Sequence, residues 1–281
     1  MDILKTTAEI RAWVKEQREK GFAIHLVPTM GYFHEGHLTL MRQAQAPNAK
    51  VVVSLFVNPK QFGPLEDLSV YPRDIPRDSA MSESAGVDAM FIPPVKEMYP
   101  SGFQTTIALP EISKGLCGRY RPSHFPGVAL IVLKLFNLVQ PDRAYFGQKD
   151  YQQLQVIKQL VIDLNLPVKV IGCPIVREED GLAMSSRNIY LSPEERVQAT
   201  VINKSLTRAQ SVVKAGERDT DSLIEQVKEW ISQSPLANIQ YLEIVHPDTL
   251  DPIHTIEDQA VLAIAVHFGK TRLIDNILLE S

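Results

Sequence analysis

The stretch VPTMGYFHEGHLTL, residues 27–40, contains the junction on which the predicted fold depends. Residues 22–27 have the composition of a short buried strand, and residues 37–45 have that of a helix. A Pro-Thr-Met-Gly turn at residues 28–31 connects them. A strand, a turn and a helix in this order are typical of a βαβ unit, in which ligands bind beyond the carboxyl ends of the parallel strands. We therefore expect a binding site at this junction.

Strand and helix signals alternate around this junction over the first two-thirds of the chain. Residues 1–20 have an amphipathic, charged helix pattern. The other predicted strands are residues 50–57, 88–92, 143–146 and 168–171, and the other predicted helices are residues 127–139 and 151–164. Strands separated by helices imply a mostly parallel sheet with right-handed crossovers.

The pattern changes after Pro174. Two predicted helices and then two predicted strands follow, at residues 193–215, 220–233, 241–245 and 260–267. The sequence therefore predicts an α/β fold with two domains. An α/β domain with a mostly parallel sheet is expected over residues 1–175, and a smaller α+β domain over residues 176–281.

Composition argues against several functional classes. The 281 residues include 29 Lys and Arg against 33 Asp and Glu, a net charge of −4, so the basic surface of a duplex-binding protein is not expected. Cys117 and Cys173 cannot form a disulfide framework, and their isolation argues against a zinc knuckle. The N-terminus lacks the apolar core of a signal peptide, and the most apolar stretch, residues 129–139, is too short for a bilayer. We expect a cytoplasmic protein with no nucleic-acid or membrane partner.

A pair of histidines follows the Pro-Thr-Met-Gly turn. His34 and His37 are three residues apart, so they lie on one face of the first helical turn and can contact the same bound group. Gly31 and Gly36 allow close backbone approach, and the helix N-terminus offers unpaired N–H groups to an anion such as phosphate. The histidines could also serve only as core or capping residues.

Two other kinds of site fit this segment poorly. A zincin would need His-Glu-x-x-His, whereas the sequence is His-Glu-Gly-His. A dinucleotide fingerprint would need G-x-G-x-x-G, which is missing. A mononucleotide site is the interpretation that the residues favour.

A second polar motif, GLAMSSRN, occupies residues 181–188. Two hydroxyls and a guanidinium beside a glycine suit the clamping of phosphate oxygens, because arginine can bind them bidentately. Alone, this composition is common in surface loops. Its occurrence together with the histidine pair makes a phosphate-binding role more specific.

These two motifs are similar to the HxGH and KMSKS-like elements of the nucleotidylyltransferase superfamily. More closely, the chain resembles the pantothenate synthetase (pantoate–β-alanine ligase) family. The resemblance extends over nearly the whole chain through FVNPKQF (56–62), YPRD (71–74), RPSHFPGV (121–128), KLFNLVQPD (134–142), FGQKDYQQL (146–154), DGLAMSSRN (180–188) and RLIDN (272–276).

The resemblance implies an ATP-dependent condensation of pantoate with β-alanine. It also implies that residues 1–175 form a Rossmann-like parallel-sheet nucleotide-binding domain and that residues 176–281 carry the phosphate-clamping MSSRN loop. The reaction would pass through a pantoyl-adenylate and release pyrophosphate and AMP, with Mg²⁺ accompanying ATP, in an enzyme that is typically a homodimer. One alternative is an adenylyltransferase that acts on a phosphate ester without forming an amide. Another is a non-catalytic module that binds ATP.

The resemblance also implies roles for individual residues. The ATP site would consist of Pro28, Thr29, Met30, Gly31, His34, Gly36, His37, Gly147, Gln148, Lys149, Asp150, Val176, Met184, Ser185, Ser186 and Arg187. The catalytic residues among these would be His37, His34, Lys149 and Arg187. Pantoate would be held by Gln61 and Gln153, β-alanine by Gln61, and Mg²⁺ would be positioned by Asp78, with Asn58, Arg121 and His124 as weaker candidates near the pantoate and β-alanine sites.

The sequence departs from the family pattern at a few positions. Gln148 and Cys117 stand where Glu is usual, and Ser123 stands where Gly is usual. Tyr32 and Phe33 are bulkier than the common residues at their positions. None of these departures removes a residue assigned to pantoate, so we expect the reaction class to be retained.

Overall fold

The computed structural model describes residues 1–64 and 66–281. Its strands are β1 (Asp2–Leu4), β2 (Ala23–Thr29), β3 (Ala49–Leu55), β4 (Ala89–Phe91), β5 (Arg143–Gly147), β6 (Lys169–Cys173), β7 (Ala237–Val245), β8 (Gln259–Phe268) and β9 (Thr271–Glu280). Its α-helices are α1 (Thr7–Glu19), α2 (Glu35–Gln43), α3 (Ile75–Ser84), α4 (Val95–Met98), α5 (Pro110–Ser113), α6 (Leu116–Tyr120), α7 (His124–Val139), α8 (Tyr151–Asp163), α9 (Pro193–Ala199), α10 (Val201–Lys214) and α11 (Thr220–Ser232).

The first six strands form one sheet in the order β1-β4-β3-β2-β5-β6. Every pairing in this sheet is parallel, which is the arrangement that alternating strands and helices produce. Successive strands are added on one side of β2 up to β4 and on its other side from β5 onward. The sheet therefore has its topological switch point between β2 and β5, where open α/β sheets bind their ligands. The Pro-Thr-Met-Gly turn begins in the last residues of β2, and Gly147 is the last residue of β5.

The last three strands form a separate antiparallel sheet in the order β7-β8-β9. One of its faces packs on α10 and α11 through a core of fully buried residues that includes Leu206, Val227 and Phe268. Together the two sheets confirm the predicted α/β class, with a parallel sheet followed by a smaller α+β part.

Contact clustering divides the chain into two compact units. The first unit contains Met1–Pro110, Arg121–Gln148 and Val156–Pro174, and the second contains Glu111–Tyr120, Lys149–Gln155 and Ile175–Ser281. The second unit thus includes two short segments that precede residue 175 in the sequence. None of the helices in residues 1–64 and 66–281 has the length and apolar composition that crossing a bilayer requires.

Two of the predicted helices differ from the structure. Residues 1–20 are not one helix, because Asp2–Leu4 pairs with β4 and the helix begins only at Thr7. The Thr6 side chain caps it, and Glu9 bonds back to the Thr6 N–H, which sets the helix start at that point. The predicted helix over residues 193–215 is two helices that meet at Thr200, whose hydroxyl donates to the Val197 carbonyl.

Gly127 provides a test of how tightly the first unit is packed. A Cβ at this position in α7 would lie 2.3 Å from the Lys60 carbonyl oxygen and 2.7 Å from the Gln61 Cα. Both neighbours are backbone atoms, so the helix and the 3₁₀ turn Pro59–Gln61 must move apart if the residue is enlarged. Gly127→Ala is therefore expected to lower the free energy of unfolding by about 1–3 kcal/mol, despite the better helix propensity of alanine.

Chemical denaturation checks this expectation. Gly115→Ala is the control, because a Cβ there meets no atom within 4 Å and the glycine has no positive φ. An unfolding free energy of Gly127→Ala equal to that of the wild type would show that the two backbones separate at no cost.

Candidate active site

The Pro-Thr-Met-Gly turn leaves the carboxyl end of β2 in a fixed conformation. Thr29 donates its hydroxyl to the Ser54 carbonyl at 2.7 Å, which ties the end of β2 to β3. Gly31 has a φ of +89°, and a Cβ there would lie 3.0 Å from Asp78 Oδ2 and 3.2 Å from the Leu55 side chain. Glycine is therefore required both by the backbone conformation and by the close approach of neighbouring side chains. Pro28 and Met30 are half-buried beside it.

Asp78 holds the segment after this turn. Its carboxylate, which has no exposed surface, accepts the backbone N–H groups of Tyr32 at 2.7 Å and Phe33 at 2.8 Å. Arg77 donates to the Phe33 carbonyl at 2.9 Å. Burial raises the pKa of the Asp78 carboxyl, and the two backbone hydrogen bonds oppose this rise. Tyr32 is held at a φ of 53°, in the left-handed region.

This geometry does not fit Asp78 as a direct ligand of Mg²⁺. A hydrated ion needs an accessible oxygen, whereas both oxygens of this buried carboxylate already bind backbone amides. Within residues 1–64 and 66–281, no group of three or more His, Cys, Asp or Glu side chains is arranged to hold a metal. The structural role of Asp78 is to shape the backbone that precedes the two histidines.

The two histidines lie at the N-terminus of α2. His34 is the N-cap residue, and its backbone N–H donates to His37 Nδ1 at 3.3 Å. The two rings lie 4.1 Å apart, centroid to centroid, and the centroid of the Phe33 ring lies 5.3 Å from that of His37. Because Nδ1 of His37 accepts a hydrogen bond, a neutral His37 carries its proton on Nε2. Its Nε2–H can therefore donate to an anion at the helix N-terminus, beside which Gly36 is half-buried.

Asn58 and Gln61 form a connected pair in the same unit. Asn58 Nδ2 donates to Gln61 Oε1 and to the Gly127 carbonyl, both at 3.0 Å, while Tyr99 donates its hydroxyl to Asn58 Oδ1 at 2.8 Å. The Gln61 amide nitrogen contacts the Met30 sulfur at 3.2 Å. The structure thus brings the pantoate candidate Gln61 into contact with the predicted ATP-binding turn.

Arg121 and His124 bind the segment that contains Gln61 and Glu66. His124 Nδ1 lies 3.0 Å from the Gln61 carbonyl oxygen. Arg121 binds the Glu66 carboxylate, with Nε at 2.8 Å from Oε1, and this pairing lowers the pKa of Glu66 against the opposing effect of burial. Both side chains therefore bind protein groups of the first unit.

The predicted residues at and after the end of β5 are divided between the two units. Gln148–Asp150 forms one 3₁₀ turn before α8, and Gln153 lies half-buried on the first turn of that helix. Gly147 and Gln148 belong to the first unit, as does Gln61, whereas Lys149, Asp150 and Gln153 belong to the second. Desolvation lowers the pKa of Lys149, the positive charges of Arg187 and Arg272 lower it further, and Asp150 and Asp275 oppose them.

The segment that carries Ser185, Ser186 and Arg187 begins as a small antiparallel loop. Met184 N–H donates to the Val176 carbonyl at 3.0 Å, and Arg177 forms an isolated bridge with Ala183. Gly181 turns the chain at a φ of +91°. Ser185 then caps the 3₁₀ turn Ser186–Tyr190 by accepting the Arg187 N–H at 3.3 Å.

Two arginines anchor this loop through three ion pairs. Arg177 binds Asp275 through both carboxylate oxygens, at 2.6 and 3.1 Å. Arg196 on α9 binds Glu178 at 2.8 Å and Asp180 at 2.7 Å, while Glu178 also accepts from Asn188 at 2.6 Å. The hydroxyls and guanidinium of the phosphate-binding candidates are therefore presented by a loop that ion pairs and hydrogen bonds hold within the second unit.

Several residues with a part in this arrangement had no role in the sequence prediction. They are Tyr99, which fixes Asn58, and Arg177, Asp275 and Asn276, which support the second unit's candidates. A signal for the last two exists in the sequence, because an adjacent Asp and Asn interrupt the otherwise apolar run LIDNILL at residues 273–279. Tyr99 carries no comparable signal.

Known proteins and a family model resemble this chain along nearly its whole length. The family model described as pantoate-beta-alanine ligase matches residues 2–278. A pantothenate synthetase from Heliobacterium modesticaldum is 53% identical over 280 residues, covering 100% of both chains. The crystal structure of pantothenate synthetase from Thermus thermophilus has a TM-score of 0.92 at 46% identity, covering 99% of each chain. That of pantoate-beta-alanine ligase from Francisella tularensis, complexed with beta-gamma ATP and beta-alanine, has a TM-score of 0.78 at 33% identity, covering 99% of this chain and 97% of that one.

Proposed function

The chain belongs to the pantoate–β-alanine ligase family, and we propose that it uses the described residues to activate pantoate with ATP and then join it to β-alanine. The observation that carries the assignment of roles is the histidine pair at the N-terminus of α2, beside the switch point of the parallel sheet. This is the place where such a fold presents N–H groups and the helix dipole to a phosphate.

In the first step, a pantoate carboxylate oxygen attacks the α-phosphorus of ATP. The bond to the bridging oxygen breaks, and pyrophosphate leaves as pantoyl-adenylate forms. Charge develops on the α-phosphate oxygens during this attack, and the Nε2–H of His37 donates to one of them, with His34 beside it. Lys149 and Arg187 hold the β- and γ-phosphates and stabilise the departing pyrophosphate, assisted by the hydroxyls of Ser185 and Ser186.

In the second step, the amine of β-alanine attacks the acyl carbon of the adenylate. The acyl–oxygen bond breaks, AMP leaves, and the amine loses a proton as the amide forms. Gln61 and Gln153 hold pantoate, because an uncharged amide can both donate to and accept from its hydroxyls without neutralising the reacting carboxylate. We propose that Thr29, Gly36, Asp150 and the Val176 backbone also contact ATP, as the family resemblance implies.

Mg²⁺ enters with ATP and neutralises part of the phosphate charge. The Asp78 carboxylate holds the backbone that precedes the two histidines. We assign residues 1–175 and 176–281 to two domains, and we propose a homodimer, for which the exposed apolar side chains of Ile162 and Leu164 on and after α8 offer a contact surface. The reaction consumes ATP, which supports a cytoplasmic location.

The alternative function, an adenylyltransferase that stops after nucleotide transfer, is not favoured. The family match extends over residues 2–278 and therefore includes the segments with Gln61 and Gln153, for which such an enzyme has no use.

The direct test measures AMP, pyrophosphate and pantothenate formed by the purified protein with Mg-ATP and pantoate, with and without β-alanine. We expect equal amounts of AMP and pantothenate only when all three substrates are present. Pantoate alone should support exchange of labelled pyrophosphate into ATP, because the adenylate forms before the amine is needed. Turnover of ATP that does not require pantoate would exclude this function.

A further inference from the structure

Two adjacent residues of β9, Asp275 and Asn276, have buried polar side chains, exposed by only 3% and 6%. Successive side chains of a strand point to opposite faces of its sheet, so these two contact different parts of the second unit. Asp275 shares its face with Leu273 and Leu279, which belong to the core that packs on α10 and α11. Asn276 lies on the opposite face. Polar residues in a buried strand are costly unless they form hydrogen bonds, and each of these forms specific ones.

Asn276 binds the segment that carries Lys149. Its Nδ2 donates to the Lys149 backbone carbonyl at 2.9 Å. This carbonyl lies in the 3₁₀ turn Gln148–Asp150, one residue before the end of that turn, and α8 begins at Tyr151. The hydrogen bond therefore fixes the backbone from which the Lys149 side chain extends.

Asp275 binds the loop that carries Ser185, Ser186 and Arg187. Its carboxylate accepts two hydrogen bonds from Arg177, and Nη1 of Arg177 also donates to the Gly181 carbonyl at 3.2 Å, so the pair connects β9 to both ends of the turn at residues 177–181. One of the same carboxylate oxygens accepts the Asn276 backbone N–H at 2.8 Å. The two anchoring side chains are thereby joined to each other as well as to their targets.

We propose that Asp275 and Asn276 are positioning residues, which hold the Lys149 segment and the 177–187 loop at a fixed spacing so that both bind one polyphosphate chain. β9 is suited to this task because it pairs with β8 along its whole length, from Thr271 to Glu280. Groups attached to neighbouring residues of such a strand cannot drift apart. The catalytic part of the inference rests on the proposed function, whereas the positioning part concerns the protein alone.

Hydrogen exchange measured by mass spectrometry tests the positioning without any substrate. Asn276→Ala is expected to speed amide exchange at least tenfold in residues 148–152 and to leave the 178–187 loop nearly unchanged. Asp275→Asn, which keeps the shape but removes the charge, is expected to produce the opposite pattern. Exchange at residues 34–37 serves as the internal reference. Unchanged exchange in both target segments would overturn the inference, as would equal acceleration throughout the chain.

Steady-state kinetics then tests the consequence for phosphate binding. Asn276→Asp keeps the size of the side chain but replaces the donor with an acceptor facing the Lys149 carbonyl, so it should be as defective as Asn276→Ala. For both variants we expect kcat/KM for ATP to fall about 10- to 100-fold, since small misplacements of binding groups have effects of this size. Asn238→Ala and Asn238→Asp, on an exposed residue of β7, are the matched controls.

The outcomes separate the two proposals. A wild-type protein that forms no pantothenate contradicts the proposed function and leaves the exchange pattern as an independent measurement. An active wild type together with an Asn276→Asp variant of normal kcat/KM contradicts the positioning role. A purely structural role predicts that Asn276→Asp keeps the wild-type kcat/KM for ATP and changes only the unfolding midpoint.

Discussion

His37→Ala is expected to lower kcat and kcat/KM for ATP together, by about two to three orders of magnitude. The proposed reason is that His37, whose Nδ1 accepts the His34 N–H, donates its Nε2–H to a phosphate oxygen at the N-terminus of α2. A donor that meets charge developing in the transition state contributes a factor of about 10²–10³. Because the ground-state phosphate bears less charge at this oxygen, KM should change little.

Two further substitutions show which ring nitrogen matters. The amide of glutamine can place an N–H near the position of Nε2, whereas that of asparagine reaches only the position of Nδ1. Rates of pyrophosphate exchange in the presence of pantoate should therefore decrease in the order wild type, His37→Gln, His37→Asn, with the asparagine variant close to alanine. His254→Ala, on a side chain that is 88% exposed, is the matched control. A His37→Ala variant that keeps more than a tenth of the wild-type rate would refute the role.

The local parts of this site were predictable from sequence. The strand, turn and helix around residues 27–40 follow from the hydrophobic periodicity and from Pro28 and Gly31, which favour a turn. Each of these signals depends only on neighbours close in the chain. The structure places β2, α2 and the histidine pair there. The family's motifs then added the candidate roles, which spacing alone does not specify.

The distant contacts were not predictable in this way. Asp78 binds the backbone of Tyr32, 46 residues earlier, and nothing in its local sequence distinguishes this from an exposed acid on a helix. The strand β9 was missed because Asp275 and Asn276 interrupt its apolar pattern, and their partners Arg177 and Lys149 are about a hundred residues away in the chain. Such roles depend on tertiary contacts, which no short window contains.

Lys149→Met is expected to have the largest effect of all, with a decrease in kcat/KM for ATP of about three orders of magnitude. The variant keeps much of the aliphatic volume of the side chain but removes the positive charge that Lys149 contributes to the 3₁₀ turn. A charge-assisted hydrogen bond to a phosphate is lost in the ground state and in the transition state, so KM for ATP should rise as kcat falls. Lys204→Met, on an exposed residue of α10, is the control.

The pH dependence of the wild type identifies the same group. Burial, together with Arg187 and Arg272, lowers the pKa of Lys149 below its usual value of 10.5. The charged form is the one that binds phosphate, so kcat/KM for ATP should fall as pH rises through this lowered pKa. Pyrophosphate exchange is the suitable assay, because it omits the β-alanine amine, whose own titration would add a second alkaline effect. Lys149→Arg should be slower but should lack this alkaline decrease, since a guanidinium stays protonated. An alkaline limb that persists in Lys149→Arg would assign it to another group.

As pH rises, the free energy of unfolding is expected to rise while the activity falls. Because the pKa of Lys149 is lower in the folded protein than in the unfolded chain, the unfolded chain binds more protons at pH values between the two pKa values. The free energy of unfolding contributed by this group therefore rises with pH through that window, and at neutral pH the partly buried charge reduces it. Lys149→Met removes that cost, so its unfolding free energy at pH 7 should equal or exceed that of the wild type, and its rise at alkaline pH should be smaller. If Lys149→Met loses activity but keeps or gains stability, Lys149 is present for its contact with phosphate and contributes nothing to folding. A large loss of stability would instead mean that its aliphatic stem and contacts hold the turn together.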